Sequence, residues 1–301
     1  MMQKKQQKQD FYSSTPFTRG GFPMRKGLIL GVLTTLILFV VGILGGYPVA
    51  ADTDYPKPPP ATPKVLKRGK LMYNYVCAPC HGKSGLGIGP VSATVKVKPR
   101  DFTKGLFKFR STVSGQLPTI EDLYQSVVSG FHTTAMPTFK HLKPKDIYAI
   151  VRYIMTLSPR FQDDSEYPLK VVDIPEPIPM TPKSLREGRK LYVKMQCFKC
   201  HGVSGRGDGP SAKNLRDEWG NRLYMPDFPA GKVKRVKSPT DIYKLLVTGM
   251  VGGSMPSFRS AMTDEELWHL SNYVYGLMTG ESMAAVDGLL KNSPIASSES
   301  K

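Results

Sequence analysis

Four cysteines occur in the 301 residues, and they fall in two copies of one string, Cys77-Ala-Pro-Cys80-His81-Gly82 and Cys197-Phe-Lys-Cys200-His201-Gly202. Two thiols three positions apart lie on one side of a helical turn, and a histidine follows at once. Each thiol can then reach one vinyl group of a porphyrin while the imidazole is carried beneath the iron, which is how a c-type haem is tethered. The expected cofactors are two covalently bound haems c, with His81 and His201 as iron ligands. A C-x-x-C pair alone also suits a redox dithiol or half of a zinc site, and two pairs could supply four thiolates. Neither of those chemistries requires a histidine after the second cysteine, and here it occurs twice.

The repeat extends well beyond these strings. Gly82, Gly85, Gly87, Gly89 and Pro90 follow the first histidine at the spacing at which Gly202, Gly205, Gly207, Gly209 and Pro210 follow the second. Such a glycine-rich loop can approach a flat cofactor closely. Further on, Leu123-Tyr124, Gly130 and Met136-Pro137 match Ile242-Tyr243, Gly249 and Met255-Pro256. Near the end of each copy, Ile147, Ile150, Val151, Ile154 and Leu157 recur at helical spacing, as do Leu267, Leu270, Val274 and Leu277. These stripes are core faces of amphipathic helices. Two tandem domains of ordinary size follow. Methionine is common, with fourteen in the chain, and a methionine is usually packing material. Met136 and Met255 differ because each precedes a proline, 59 and 58 residues after its first cysteine, in the same place of both copies.

On these residues each copy resembles a class I cytochrome c domain, and the resemblance covers about two thirds of the chain. It implies an all-α fold in which a first helix runs into C-x-x-C-H, a glycine-rich loop follows, and a last helix crosses the first. It further implies that Met136 and Met255 are the sixth iron ligands. The cofactor-binding set is thus Cys77, Cys80, His81 and Met136 in one domain, with Cys197, Cys200, His201 and Met255 in the other. The metal ligands are His81, Met136, His201 and Met255. His132 is a nearby rival to Met136, though the second copy has Val251 in its place; Met250 is a weaker rival to Met255, and His141 and His269 have no counterparts in the other copy. Gly69 and Tyr73, Gly188 and Tyr192, with Tyr153 and Tyr273 opposite, resemble the family's helix crossing. The second copy has one extra residue between Tyr192 and Cys197. Gly89-Pro90 and Gly209-Pro210 resemble the segment whose proline carbonyl accepts a hydrogen bond from the proximal histidine. Arg100 and Arg110 lie in a segment that resembles a stretch of bacterial respiratory cytochromes; pairing with a haem propionate and plain surface exposure weigh evenly for both.

Thioether ligation favours ferrous iron, and two protein ligands leave no open coordination position. The expected function is single-electron transfer between respiratory complexes, by a carrier or a subunit, and not catalysis. A dihaem peroxidase or thiosulfate dehydrogenase-like enzyme with one catalytic haem is the alternative.

From Gly27 to Ala51 there is no charged residue, and about 20 apolar residues suffice to span a bilayer as a helix. Lys4, Lys5, Lys8, Arg19, Arg25 and Lys26 precede the stretch, so the positive-inside rule places the amino terminus in the cytoplasm. The reading is a single-pass inner-membrane protein with its haem domains on the periplasmic side and the bilayer as a partner; a cleaved signal peptide is the alternative. The expected layout is a basic leader 1–26, a transmembrane helix 27–50, a Pro-rich spacer 51–63, domains 64–158 and 183–280 joined by a Pro-rich linker 159–182, and a polar tail 281–301. The formal net charge of +18 favours acidic docking surfaces, for instance on a respiratory membrane complex or oxidase. No nucleic-acid motif accompanies it. The run Lys232-Val-Lys-Arg235-Val-Lys237 reads as a docking patch or as a solvated loop.

Overall fold

A computed structural model describes residues 57–131, 133–231 and 233–281. These are helical, with two isolated β-bridges and no strands, in agreement with the all-α expectation.

In the first repeat, α1 (Pro63–Val76) runs directly into the short α2 (Ala78–His81), followed by α3 (Ile120–Ser129) and α4 (Pro144–Met155). In the second, α5 (Pro182–Lys194), α6 (Phe198–His201), α7 (Pro239–Thr248) and α8 (Asp264–Thr279) repeat the order. The starts follow from local chemistry. Thr62 caps α1 by accepting the Val65 N–H, and Thr181 caps α5 through Ser184, each with proline at the first helical position, where no amide hydrogen is needed. Thr119 with Asp122, Ser238 with Asp241 and Thr263 with Glu266 form capping boxes at α3, α7 and α8.

The apolar stripes meet where the sequence places them. Helix α1 crosses α4, and α5 crosses α8. Gly69 lies against the Ala149 carbonyl and Gly188 against the His269 carbonyl, so tightly that a β-carbon on either glycine would overlap that oxygen. The tyrosines close the crossing on one side, with ring centroids 5.1 Å apart for Tyr73 and Tyr153 and 5.4 Å for Tyr192 and Tyr273. Leu267, Trp268, Leu270 and Tyr273 of α8 are buried in the second core, as are Ile147, Tyr148, Ile150 and Val151 of α4 in the first.

The two repeats belong to one compact unit and share a seam built from arginines. Arg110, buried, donates from Nη2 to the Thr248 carbonyl at 2.5 Å. Arg235 donates from Nη1 to Ser126 Oγ at 2.8 Å. Lys96 sits 4.3 Å over the Tyr224 ring. The 159–182 segment carries two 3-10 turns, Pro159–Gln162 and Asp164–Glu166, then pairs Val171 with Thr112 and lays Val172, Ile174 and Ile178 on the second core.

The transmembrane helix expected over 27–50 lies outside the described residues, as do the leader 1–26 and residues 282–301. No helix among the described residues is long and apolar enough to cross a membrane. The longest is α8, with 16 residues, which at about 1.5 Å per residue falls short of the roughly 30 Å of hydrocarbon and is amphipathic besides. The single-pass inner-membrane localisation is corrected on this finding.

Candidate functional site

Each C-x-x-C-H string begins where a long helix ends. The Cys77 N–H still donates to the Tyr73 carbonyl, and the chain then makes a single further turn ending at His81. Gly82 and Gly202 stop these turns at φ of 76° and 80°, a backbone conformation that a β-carbon disfavours. The hydroxyls of Tyr73 and Tyr192 donate to the carbonyls of Gly82 and Gly202 at 2.7 and 2.8 Å. Each long helix is thereby pinned to the far end of its turn.

The turn is held from the other side by the glycine-rich loop. Gly89 N–H donates to the Cys80 carbonyl and Val91 N–H to the Pro79 carbonyl, and Ser211 N–H donates to the Lys199 carbonyl in the second repeat. Pro90 therefore sits in a brace under the turn and does not hold the histidine. That role falls to the Arg100 carbonyl, 3.0 Å from His81 Nδ1. A carbonyl only accepts, so Nδ1 carries the hydrogen and Nε2 keeps the lone pair that an iron needs. His81 also stacks on Phe102 at 4.4 Å and His201 on Phe228 at 5.0 Å. Burial pushes the pKa of both imidazoles down, to about 4 for His201, so both are neutral and able to ligate at neutral pH.

A cleft in the first repeat is lined together by Cys77, Cys80, His81 and Met136. All four cysteines are free thiols, and burial pushes Cys77 and Cys197 up to about 12. Met136 is fixed by its backbone: its carbonyl accepts from Phe131 N–H at 3.1 Å, as that of Met255 accepts from Met250 N–H at 2.9 Å. In the second repeat Cys197 and Met255 pack against the same core, and the Nδ1 of His201 is buried with no hydrogen-bond partner. These residues fit a covalently held haem: paired thiols, a neutral imidazole with a free nitrogen, and a thioether on the same cleft. They do not fit a four-thiolate metal centre. Among the described residues no group of three or more His, Cys, Asp or Glu side chains could hold a metal ion.

Of the rival ligands, His132 lies outside the described residues, and Met250 donates its backbone N–H to the Met255 carbonyl; two further histidines are placed elsewhere. His269 is engaged with Ser184 Oγ at 2.9 Å from its Nδ1, and His141 lies beside Phe139 on the outer side of that core residue. Of the cations around the first cleft, the sequence singles out Arg100 as a propionate partner but gives no such role to Lys108 or Lys234. Arg100, Lys108 and Lys234 line it as well, and Trp219 of the second repeat stacks on Arg100 at 4.4 Å. Two members of the basic run 232–237 thus point inward across the seam: Lys234 to this cleft and Arg235 to Ser126.

A family model described as cytochrome C oxidase, cbb3-type, subunit III matches twice, over residues 64–154 and 183–274. Among solved structures, a chain of the reducing HAO-like protein complex of Kuenenia stuttgartiensis is 40% identical with a TM-score of 0.67, covering 70% of this chain and 96% of that one. Photosystem II extrinsic protein V of Pyropia yezoensis is 28% identical over 102 residues, or 31% of this chain and 61% of that protein. The same protein of Gracilaria tenuistipitata var. liui is 28% identical over the same length, 60% of it covered. The chain thus spans about three fifths of the length of the curated relatives it matches.

Proposed function

Because the chain belongs to the cytochrome c oxidase, cbb3-type, subunit III family, as tandem class I cytochrome c repeats, we infer that it is a dihaem electron-transfer protein serving a larger redox assembly. Family membership implies covalently bound haem c. Under this reading Cys77 and Cys80 hold one haem and Cys197 and Cys200 the other. His81 with Met136, and His201 with Met255, are the axial pairs. Bound haem supplies a reversible single-electron couple at iron. The chain's own residues do the rest. The Arg100 carbonyl fixes the His81 tautomer, Tyr73 and Tyr192 lock the turns, and Phe102 and Phe228 stack on the imidazoles.

The observation that carries the reading is the convergence of Cys77, Cys80, His81 and Met136 on one cleft. The likeness to a chain of a multi-protein complex at 40% identity supports service as an electron-transfer subunit, exchanging electrons with a respiratory or other redox partner. The chain's positive charge suits an acidic docking surface on such a partner.

A spectral titration of the matured protein tests this. Both haems should be low-spin and unmoved by cyanide, and Met136→Ala or Met255→Ala should each convert one haem to a form that binds it. A wild-type haem that is high-spin or takes up cyanide or peroxide rapidly would replace the carrier reading with that of a dihaem enzyme.

A further inference from the structure

The charge of the first cleft has no counterpart in its ligand chemistry. Arg100 and Lys108 come from the first repeat and Lys234 from the second, and all three line the cleft that holds Cys77, Cys80 and His81. They also line a polar groove that continues from it along the seam, beside Asp217 and Trp219. The Arg100 guanidinium is sandwiched against Trp219, and its Nη1 is buried without a hydrogen-bond partner. Burial and mutual repulsion lower the pKa of the two lysines, Lys108 to about 8.

Three carboxylates act on Arg100: Glu218 is exposed to solvent, and the other two are already used. Asp101 accepts from Thr103 N–H, Thr103 Oγ1 and Trp219 Nε1. Asp217 accepts from Trp219 N–H, Asn221 N–H and Asn221 Nδ2. Among the described residues none of the three cations forms an ion pair. Three poorly solvated cations around one opening are costly unless an anion enters it.

We propose that Arg100, Lys108 and Lys234 receive the propionate carboxylates of the haem held by Cys77 and Cys80, so that the second repeat completes the cofactor site of the first. The assignment rests on the dihaem reading above. Arg100 then grips the site twice: its carbonyl holds the proximal histidine, and its planar guanidinium offers the paired donors that a carboxylate takes. Lys234 makes the first haem sensitive to how the repeats are docked. A cation beside the haem opposes the extra positive charge of ferric iron, so removing one lowers the potential.

The test is a spectroelectrochemical titration of the matured full-length protein, with redox-difference infrared spectra of the haem carboxylates, for wild type, Lys234→Met and Lys234→Arg. One of the two midpoints should fall in Lys234→Met together with a shift of the carboxylate bands. The other midpoint should stay in place, and Lys234→Arg should restore both signals. Removing the cation through merely structural damage would not be reversed by arginine. Unmoved midpoints and bands in fully loaded Lys234→Met would overturn the assignment while leaving the dihaem reading intact. A wild-type midpoint that moves with added inorganic phosphate at constant ionic strength, and no longer does so in Lys234→Met, would also overturn it, by showing that the cations bind a free anion. Matured protein lacking the first haem by mass would instead overturn the underlying reading.

Discussion

In the first repeat the Cys77 N–H donates to the Tyr73 carbonyl, four residues back, as in any α-helix; in the second, the Cys197 N–H reaches the Tyr192 carbonyl, five residues back, at 3.0 Å. The extra residue is taken up at Gln196, a non-glycine residue at φ 59°. On either side of this bulge the two repeats coincide in kind: the tyrosine hydroxyl still reaches the glycine carbonyl, and the glycine still lies under the crossing helix. A single insertion is thus confined to one backbone position because the crossing and the turn are each pinned independently. The histidines differ in a second way. His81 Nδ1 has the Arg100 carbonyl, whereas His201 Nδ1 has no partner. A hydrogen-bonded imidazole is the more basic ligand, so identical motifs need not give two equivalent irons.

The helix crossing is where the two repeats should break most severely. Gly69→Val and Gly188→Val should each cost more than about 3 kcal/mol, read as loss of the cooperative thermal transition or a large fall in Tm, because the overlap is with backbone that cannot move aside. The milder Gly188→Ala should hurt more than Gly69→Ala. A β-carbon on Gly188 also lies 2.5 Å from Tyr273 Cβ, against 3.0 Å from Tyr153 Cβ for Gly69. Equal losses would show that the second crossing is no tighter.

Next come the paired hydroxyls. Tyr73→Phe and Tyr192→Phe each remove one of two hydrogen bonds to a carbonyl that keeps the Gly85 or Gly205 N–H, and denaturant titration should give about 1 kcal/mol of destabilisation for both. A much smaller loss in the second repeat would mean that its bulge already loosens the turn.

A difference at the last helices is smaller. Helix α8 starts with the Thr263 and Glu266 capping box, whereas α4 has Lys143 at its N-cap with no side-chain cap. Thr263→Ala should therefore cost about 1 kcal/mol in thermal unfolding, and Lys143→Ala close to nothing. The smallest effect is at the insertion itself. Gln196→Gly should raise stability by about 0.5–1 kcal/mol, the strain released exceeding the added chain entropy. An unchanged or lower Tm would place the insertion's accommodation elsewhere.

What both repeats share could be read from the sequence. The helices, the glycines at the crossings, the tyrosine pairs, and Cys77, Cys80, His81 and Met136 on the first cleft all stand at positions matched in the other repeat. What joins the repeats could not be read that way. Arg110 on Thr248, Arg235 on Ser126 and Arg100 on Trp219 occur once each, so aligning one copy with the other hides them. The basic run 232–237 shows why: charge alone suggests a docking patch or a solvated loop, while the seam turns Lys234 and Arg235 inward. Likewise the acceptor for His81 is the Arg100 carbonyl and not that of Pro90, because the glycine-rich loop is consumed in bracing the turn beneath it.

The central claim is that each C-x-x-C-H string anchors its own haem, and intact mass of the protein matured in a host competent for haem attachment measures it directly. The wild type should carry two added haem masses that survive denaturation, and Cys77→Ala/Cys80→Ala and Cys197→Ala/Cys200→Ala should each carry one. A wild-type mass equal to that of the bare polypeptide, or one haem remaining in the protein stripped of all four cysteines, would contradict it.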